Sequence, residues 1–251
     1  MSSSRRERTL QSRSEKTAAF AQWRSLNHEI VLKKLKWSDI GQRLLGLISE
    51  TDALWRDGKV AAGIYRQKGN LFRDTVISLV QARCGLRIEG RKVPGRSDKH
   101  AVDLAAFESS TGGPILVLAG ETKMIGSPPH ATKSEHYPER TISIDIDKRT
   151  KEVKYTPIDL KRVNDPEVSG GWSSWLNKTK PVWVSAWLCR LGSKDKLHNV
   201  QEKFESLREY NNATAVAIYR ELNGVYEWVP MHSTGLLDLD QLTELISGHL
   251  T

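Results

Sequence analysis

The chain has 251 residues, enough for one substantial core, with 27% charged and 38% hydrophobic side chains, as in ordinary globular proteins. Its 38 Lys and Arg against 30 Asp and Glu leave a formal charge of +8, which suits a polyanionic partner because neutralised phosphates release counterions. Two cysteines are too few for a disulfide framework or a zinc site, and no apolar run is long enough to span a bilayer.

Residues 1–17 are rich in Ser and Arg and are expected to form a basic, poorly ordered tail. The tail lacks a following apolar core and so does not resemble a secretory signal. With Cys84 and Cys189 expected as buried thiols, a cytoplasmic protein follows. Residues 18–60 form a helical N-terminal region in which Ile40, Leu44, Leu47, Ile48 and Leu54 fall at helical spacing.

The remainder, residues 61–251, is predicted to be one α/β domain. Residues 69–83 make an amphipathic helix with Phe72, Val76, Leu79 and Val80 on one face, and Gly85 ends it. A short strand at 86–89 and a basic Gly/Pro loop at 90–100 follow. Strands at 102–107 and 115–121 are joined by a turn at 109–114. Residues 126–172 look like an insertion of hairpins and loops, with a polar strand-like piece at 141–147. Residues 181–188 are a buried strand that places Trp183 and Trp187 on one face. Leu197, Val200, Phe204 and Leu207 mark a helix, and 214–219 a β-branched strand. Asp238 with Gln241 resembles a capping box opening a last helix, with Leu242, Leu245 and Ile246 inward. The fold class is α/β, a mixed central β-sheet flanked by helices.

The chemistry lies in the hairpin. Side chains at i and i+2 of a strand share a face, so Glu121 and Lys123 point together and Thr122 faces away. Folding at 109–114 brings Asp103 beside Ala119–Glu121. Both strands are apolar on both faces, and a charge there is costly unless paired or bound to a metal. Mg²⁺ suits two carboxylates helped by the Thr122 carbonyl, and a lysine beside it can orient a water and offset charge on a phosphorane-like transition state.

Asp103…Glu121-Thr122-Lys123 resembles the Asp…Glu-x-Lys motif of the PD-(D/E)xK nuclease superfamily, which includes many restriction endonucleases. The resemblance covers the hairpin in motif and about half of the chain in outline. It implies an αβββαβ core built from the helix at 71–83, the strands at 86–89, 102–107 and 115–121, the helix at 197–210 and the strand at 214–219. The strand at 182–188 and the insertion fall outside that core. It also implies Mg²⁺-dependent hydrolysis of double-stranded DNA, most simply by a homodimer of the type II restriction kind, with Asp103 and Glu121 holding metal and Lys123 activating water. A repair or recombination nuclease of the same fold, or a non-catalytic DNA binder, are the alternatives.

Asp98, in a polar loop, competes with Asp103, which lies on the apolar run. Asp74 matches the extra helical acid of such nucleases in position, yet falls opposite the apolar face of its helix. Arg91, Lys92, Arg96 and Lys99 lead into Asp103 and are placed to grip phosphates, and Lys161 and Arg162 are candidates within the insertion. His130 and His136 are read as loop residues, and Trp172 and Trp175 as packing beneath the insertion.

Overall fold

The computed structural model describes residues 5–94, 99–111, 113–130, 137–161, 181–231 and 235–250. Helices α1 (Arg5–Lys33), α2 (Trp37–Arg56), α3 (Ala62–Tyr65) and α4 (Gln67–Cys84) precede three strands, β1 (Ile88–Pro94), β2 (Lys99–Ser110) and β3 (Gly113–Ile125). Helix α5 (Ile142–Lys161) leads to β4 (Val182–Leu191). Helix α6 (Leu197–Glu205), with a 3₁₀ turn at Ser206–Glu209, leads to β5 (Ala213–Leu222), β6 (Val225–Trp228) and α7 (Leu239–Leu250).

The strands form one mixed sheet in the order β1-β2-β3-β4-β5-β6. The first three are antiparallel, β3, β4 and β5 run parallel, and β6 returns antiparallel. Helices α1, α2, α4 and α7 cover one face, packing Trp23, Leu44, Phe72, Val76, Leu242 and Ile246 against Leu104, Leu118, Val184 and Ala215. On the other face, Ile142, Ile146, Val153, Val200 and Phe204 of α5 and α6 meet Trp187, Cys189, Val216 and Ile218. Being covered on both sides, β4 is buried at every position but its last, which explains its unbroken apolar run.

The strand at 182–188 is therefore not peripheral. It lies against β3 in the middle of the sheet, with Glu121 opposite Ser185 and Lys123 opposite Trp187. Parallel strands need a long crossover, and α5 supplies it. Within the segment 126–172 this helix replaces the hairpins and loops expected over 142–161, and the strand expected at 141–147; residues 131–136 and 162–172 fall outside the described residues. Ile142, Ile144 and Ile146 alternate with polar residues and so imitate a strand. Ile144 is 62% exposed, however, while Ile142, Ile146 and Val153 are buried, as a helical stripe requires.

Helix α5 is anchored at its start by a remote carboxylate. Asp195, in the β4–α6 loop, accepts hydrogen bonds from the Ile142 and Ser143 amides at 2.8 and 2.9 Å, supplying partners that a helix N-terminus otherwise lacks. Near its other end Pro157 removes one backbone donor, and the Thr156 hydroxyl donates to the Glu152 carbonyl at 3.2 Å.

Other boundaries move less. Helix α1 begins at Arg5, inside the segment expected to be a disordered tail, because its Arg, Glu, Leu, Gln and Lys residues are good helix formers. Pairing of β1 with β2 extends to Pro94–Lys99, so Arg91 and Lys92 are strand residues. Gly85 ends α4 in the left-handed conformation, as expected. The Asp238–Gln241 box closes reciprocally, with bonds of 2.7 and 2.9 Å. Cys189 is buried, Cys84 is half-buried, and neither forms a disulfide.

Gly120 lets β2, β3 and β4 close up beside the candidate site. A Cβ there would lie 2.6 Å from the Val184 carbonyl oxygen and 2.7 Å from Val184 Cγ2. Gly120→Ala is expected to cost about 1–3 kcal/mol of stability through this overlap, read as a lower midpoint in urea unfolding. An unchanged midpoint would show that the strands can separate freely at this point.

Candidate active site

Strand β3 presents Ala119, Glu121, Lys123 and Ile125 toward α5, so two charged residues interrupt an otherwise apolar face. Ala119 packs with Val102, Ala105, Leu116 and Trp183, and Ile125 belongs to the cluster beneath α5 and α6. Glu121 is only 8% exposed. Lys123 Nζ donates to Glu121 Oε2 at 2.7 Å, confirming that the two share a face. Burial pushes the Glu121 carboxyl above its ordinary value. The Lys123 ammonium opposes that shift, while the charges of Asp103 and Glu152 add to it.

Asp103 reaches the site through a defect in the ladder. The β2–β3 pairing ends at Leu104–Gly120, while on its other edge β2 pairs with β1 from Ala106 to Lys99, with a register shift between Glu89 and Arg91 opposite Asp103. Beyond Gly120 the edge of β3 has parted from β2. Asp103 Oδ2 takes over there, accepting from both the Thr122 amide and the Thr122 hydroxyl at 3.0 Å. Thr122 is thus a direct partner of Asp103, although strand alternation alone turns its side chain away from Glu121.

Helix α5 closes the site from above. Glu152 lies near enough for its charge to raise the Glu121 carboxyl, and it is held by Arg149 at 2.9 Å. One turn beyond Glu152's Thr156 partner, Asp159 meets His100 Nε2 of β2 at 2.7 Å, pinning the helix over the hairpin. Neither Glu152 nor the His100–Asp159 pair was anticipated. The helical spacing of Ile142, Ile146 and Val153 leaves Glu152 at the flank of the buried stripe, its side chain 40% exposed.

Asp74 is 44% exposed on α4 and pairs with its neighbour Arg73, as a solvated helix charge does. Arg91 and Lys92 lie on β1, Lys99 opens β2 and Lys161 closes α5. Asp98, Arg96, Arg162, His136, Trp172 and Trp175 fall outside the described residues. His130 is buried against the edge of Trp55 rather than at the site.

A second polar group is buried on the opposite face. Asp52 is fully buried and accepts from Tyr65 Oη at 2.5 Å, Lys68 Nζ at 3.0 Å and Tyr226 Oη at 3.0 Å. Lys68 also bonds Tyr65, and burial lowers its ammonium's pKa against the pull of Asp52. The cue in the sequence was an aspartate in the apolar stripe of α2, eight residues after Leu44 and four after Ile48. With its oxygens met from α3, α4 and β6, Asp52 ties these elements together.

No cluster of three or more His, Cys, Asp or Glu side chains poised for a metal occurs among the described residues. No described helix is long and apolar enough to cross a membrane. Comparison with protein-family models, curated proteins and solved structures finds no match to this chain.

Because the folded chain holds the Glu121 proton more tightly than the unfolded one, ionising it costs stability. That contribution is present below the ordinary glutamate value of 4.5 and is lost as pH rises through the higher folded value. Glu121→Gln cannot ionise. Its melting temperature is expected to gain on the parent's as pH rises from 4.5 and to level off above the folded value. A difference that stays constant with pH would contradict the burial effect.

Proposed function

We propose that this chain is a Mg²⁺-dependent endonuclease that hydrolyses phosphodiester bonds of double-stranded DNA, resembling type II restriction enzymes and acting as a homodimer. The observation that carries the reading is the buried Glu121–Lys123 pair, with Asp103 bonded to the intervening Thr122 and close enough for its charge to act on Glu121. The succession α4-β1-β2-β3-α5-β4 supports it, being the αβββαβ order that the resemblance implies, though with α5 and β4 in the places expected of α6 and β5.

The donor set fits a hard cation. Asp103 and Glu121 offer carboxylate oxygens, the Thr122 carbonyl follows Glu121 directly in sequence, and Mg²⁺ commonly takes one or two carboxylates with waters and phosphate oxygens. Glu121, short of solvent and raised further by two neighbouring carboxylates, gains from added positive charge. When bound, the metal would lower the pKa of a coordinated water and polarise the phosphate. Lys123, on the Glu121 face, would orient the attacking water and offset charge on the phosphate oxygens. Thr122 holds the Asp103 carboxylate in place through Oδ2. Arg91, Lys92, Arg96 and Lys99 before the site, and Lys161 and Arg162 after α5, would carry phosphate contacts in keeping with the net charge of +8.

The test is incubation with plasmid and phage DNA in Mg²⁺ and in EDTA. Discrete fragments in Mg²⁺ alone are expected, with Lys123→Ala slower by about 100-fold or more and Asp103→Asn and Glu121→Gln inactive. Cutting that follows ends or junctions would assign the chain to repair or recombination. Binding without cutting would make it a DNA-binding protein on the same scaffold. Parental rates in Asp103→Asn or Lys123→Ala would remove the site assignment altogether.

A further inference from the structure

Past the C-terminal end of β3 a cavity of about 760 Å³ opens among the α3–α4 junction, the β3–α5 connection and the first turns of α5. That is the size of small-molecule sites generally. Asp103, Glu121 and Lys123 do not line it. Its floor follows from Gly126, whose φ of +84° turns the chain out of β3 and whose missing Cβ would lie 2.6 Å from the Arg190 carbonyl oxygen.

The charge of the wall is uneven. Arg66, Lys68, Arg140, Lys148 and Arg149 face the cavity against two carboxylates, Glu139 and Asp145. Most are already committed: Lys68 to Asp52 at 3.0 Å, Arg149 to Glu152 at 2.9 Å, Arg140 to Asp145, and Glu139 to Arg190 at 2.7 Å. Arg66 and Lys148 remain, both exposed and neither in an ion pair among the described residues. The surplus positive charge of the cavity therefore rests on these two side chains.

The same wall carries exposed apolar surface. Tyr137 is 37% exposed and Ile144 62%. Tyr137 is braced edge-on by Trp55 at 5.4 Å, and Trp55 is stacked on Tyr65 at 4.6 Å. A small inorganic anion would use the cations and leave the ring and Ile144 in water. A neutral apolar ligand would cover the ring and leave the cations without a partner. An anion with a planar group uses both, since aromatic faces stack bases without regard to sequence and Arg and Lys bind phosphate.

We propose that this cavity is a binding site for a nucleoside monophosphate, its phosphate taken by Arg66 and Lys148 and its base by Tyr137 and Ile144. The volume admits a nucleotide and not a duplex, so the occupant is a free mononucleotide or a single residue out of the helical stack. The site needs no phosphodiester cleavage and stands independently of the nuclease reading.

Titration calorimetry of the full chain in EDTA tests it, with deoxyadenosine 5′-monophosphate, deoxyadenosine and inorganic phosphate as separate ligands. One site for the monophosphate is expected, with the nucleoside and phosphate each at least about tenfold weaker. Arg66→Ala, Lys148→Ala and Tyr137→Ala are each expected to weaken the monophosphate about fivefold, whereas Glu121→Gln leaves it unchanged. These three side chains are exposed, and thermal melts establish that the variants fold. Equal affinity for inorganic phosphate, no binding of the monophosphate, or undiminished binding in Arg66→Ala with Lys148→Ala would each overturn the proposal. Loss of cleavage with monophosphate binding intact bears on the nuclease reading alone.

Discussion

A carboxylate on a strand covered from both sides must be compensated where it stands. Glu121 is in that position, and much of the surrounding arrangement answers its need. Lys123 lies on the same face at 2.7 Å because strand geometry puts i and i+2 together. The apolar clusters on either side, around Trp183 and around Trp187, keep water scarce enough for the pairing to matter. Helix α5, laid across the same face, adds Glu152 and leaves the carboxylates in excess over Lys123. The pocket of negative charge is thus a product of the sheet's burial.

Two buried ion pairs in this chain show how saturation separates structure from chemistry. Asp52–Lys68 is enclosed by tyrosine hydroxyls that meet both carboxylate oxygens, and nothing there calls for a further ligand. A fully satisfied network of this kind rigidifies what it joins. Glu121–Lys123 has fewer partners and an excess of carboxylates around it. A bound cation would improve the second pair and merely crowd the first.

The sequence made the local periodicities plain. The apolar face of α4, its glycine stop, the capping box of α7 and the shared face of Glu121 and Lys123 all depend on neighbours a few residues away. Non-local decisions were hidden. Ile142, Ile144 and Ile146 satisfy both a strand and a helix, and only packing on β3 and β4, with Asp195 capping from 53 residues away, selects the helix. The central place of β4 was obscured for the same reason, since recognising its crossover requires recognising α5. Asp103 was identified as a nearby acid, but its grip on Thr122 depends on where β2 leaves β3, which no spacing in the chain encodes.

That grip has a spectroscopic corollary. In an intact ladder the Thr122 amide would be held by a backbone carbonyl, and its exchange with solvent deuterium would follow the opening of the whole sheet. Here it is held by the side chain of Asp103. Any ligand that draws the carboxylate away releases a single N–H while the neighbouring strand pairs stay closed. Thr122 therefore serves as a one-residue gauge of what Asp103 is bound to, readable by hydrogen exchange without any assumption about the reaction.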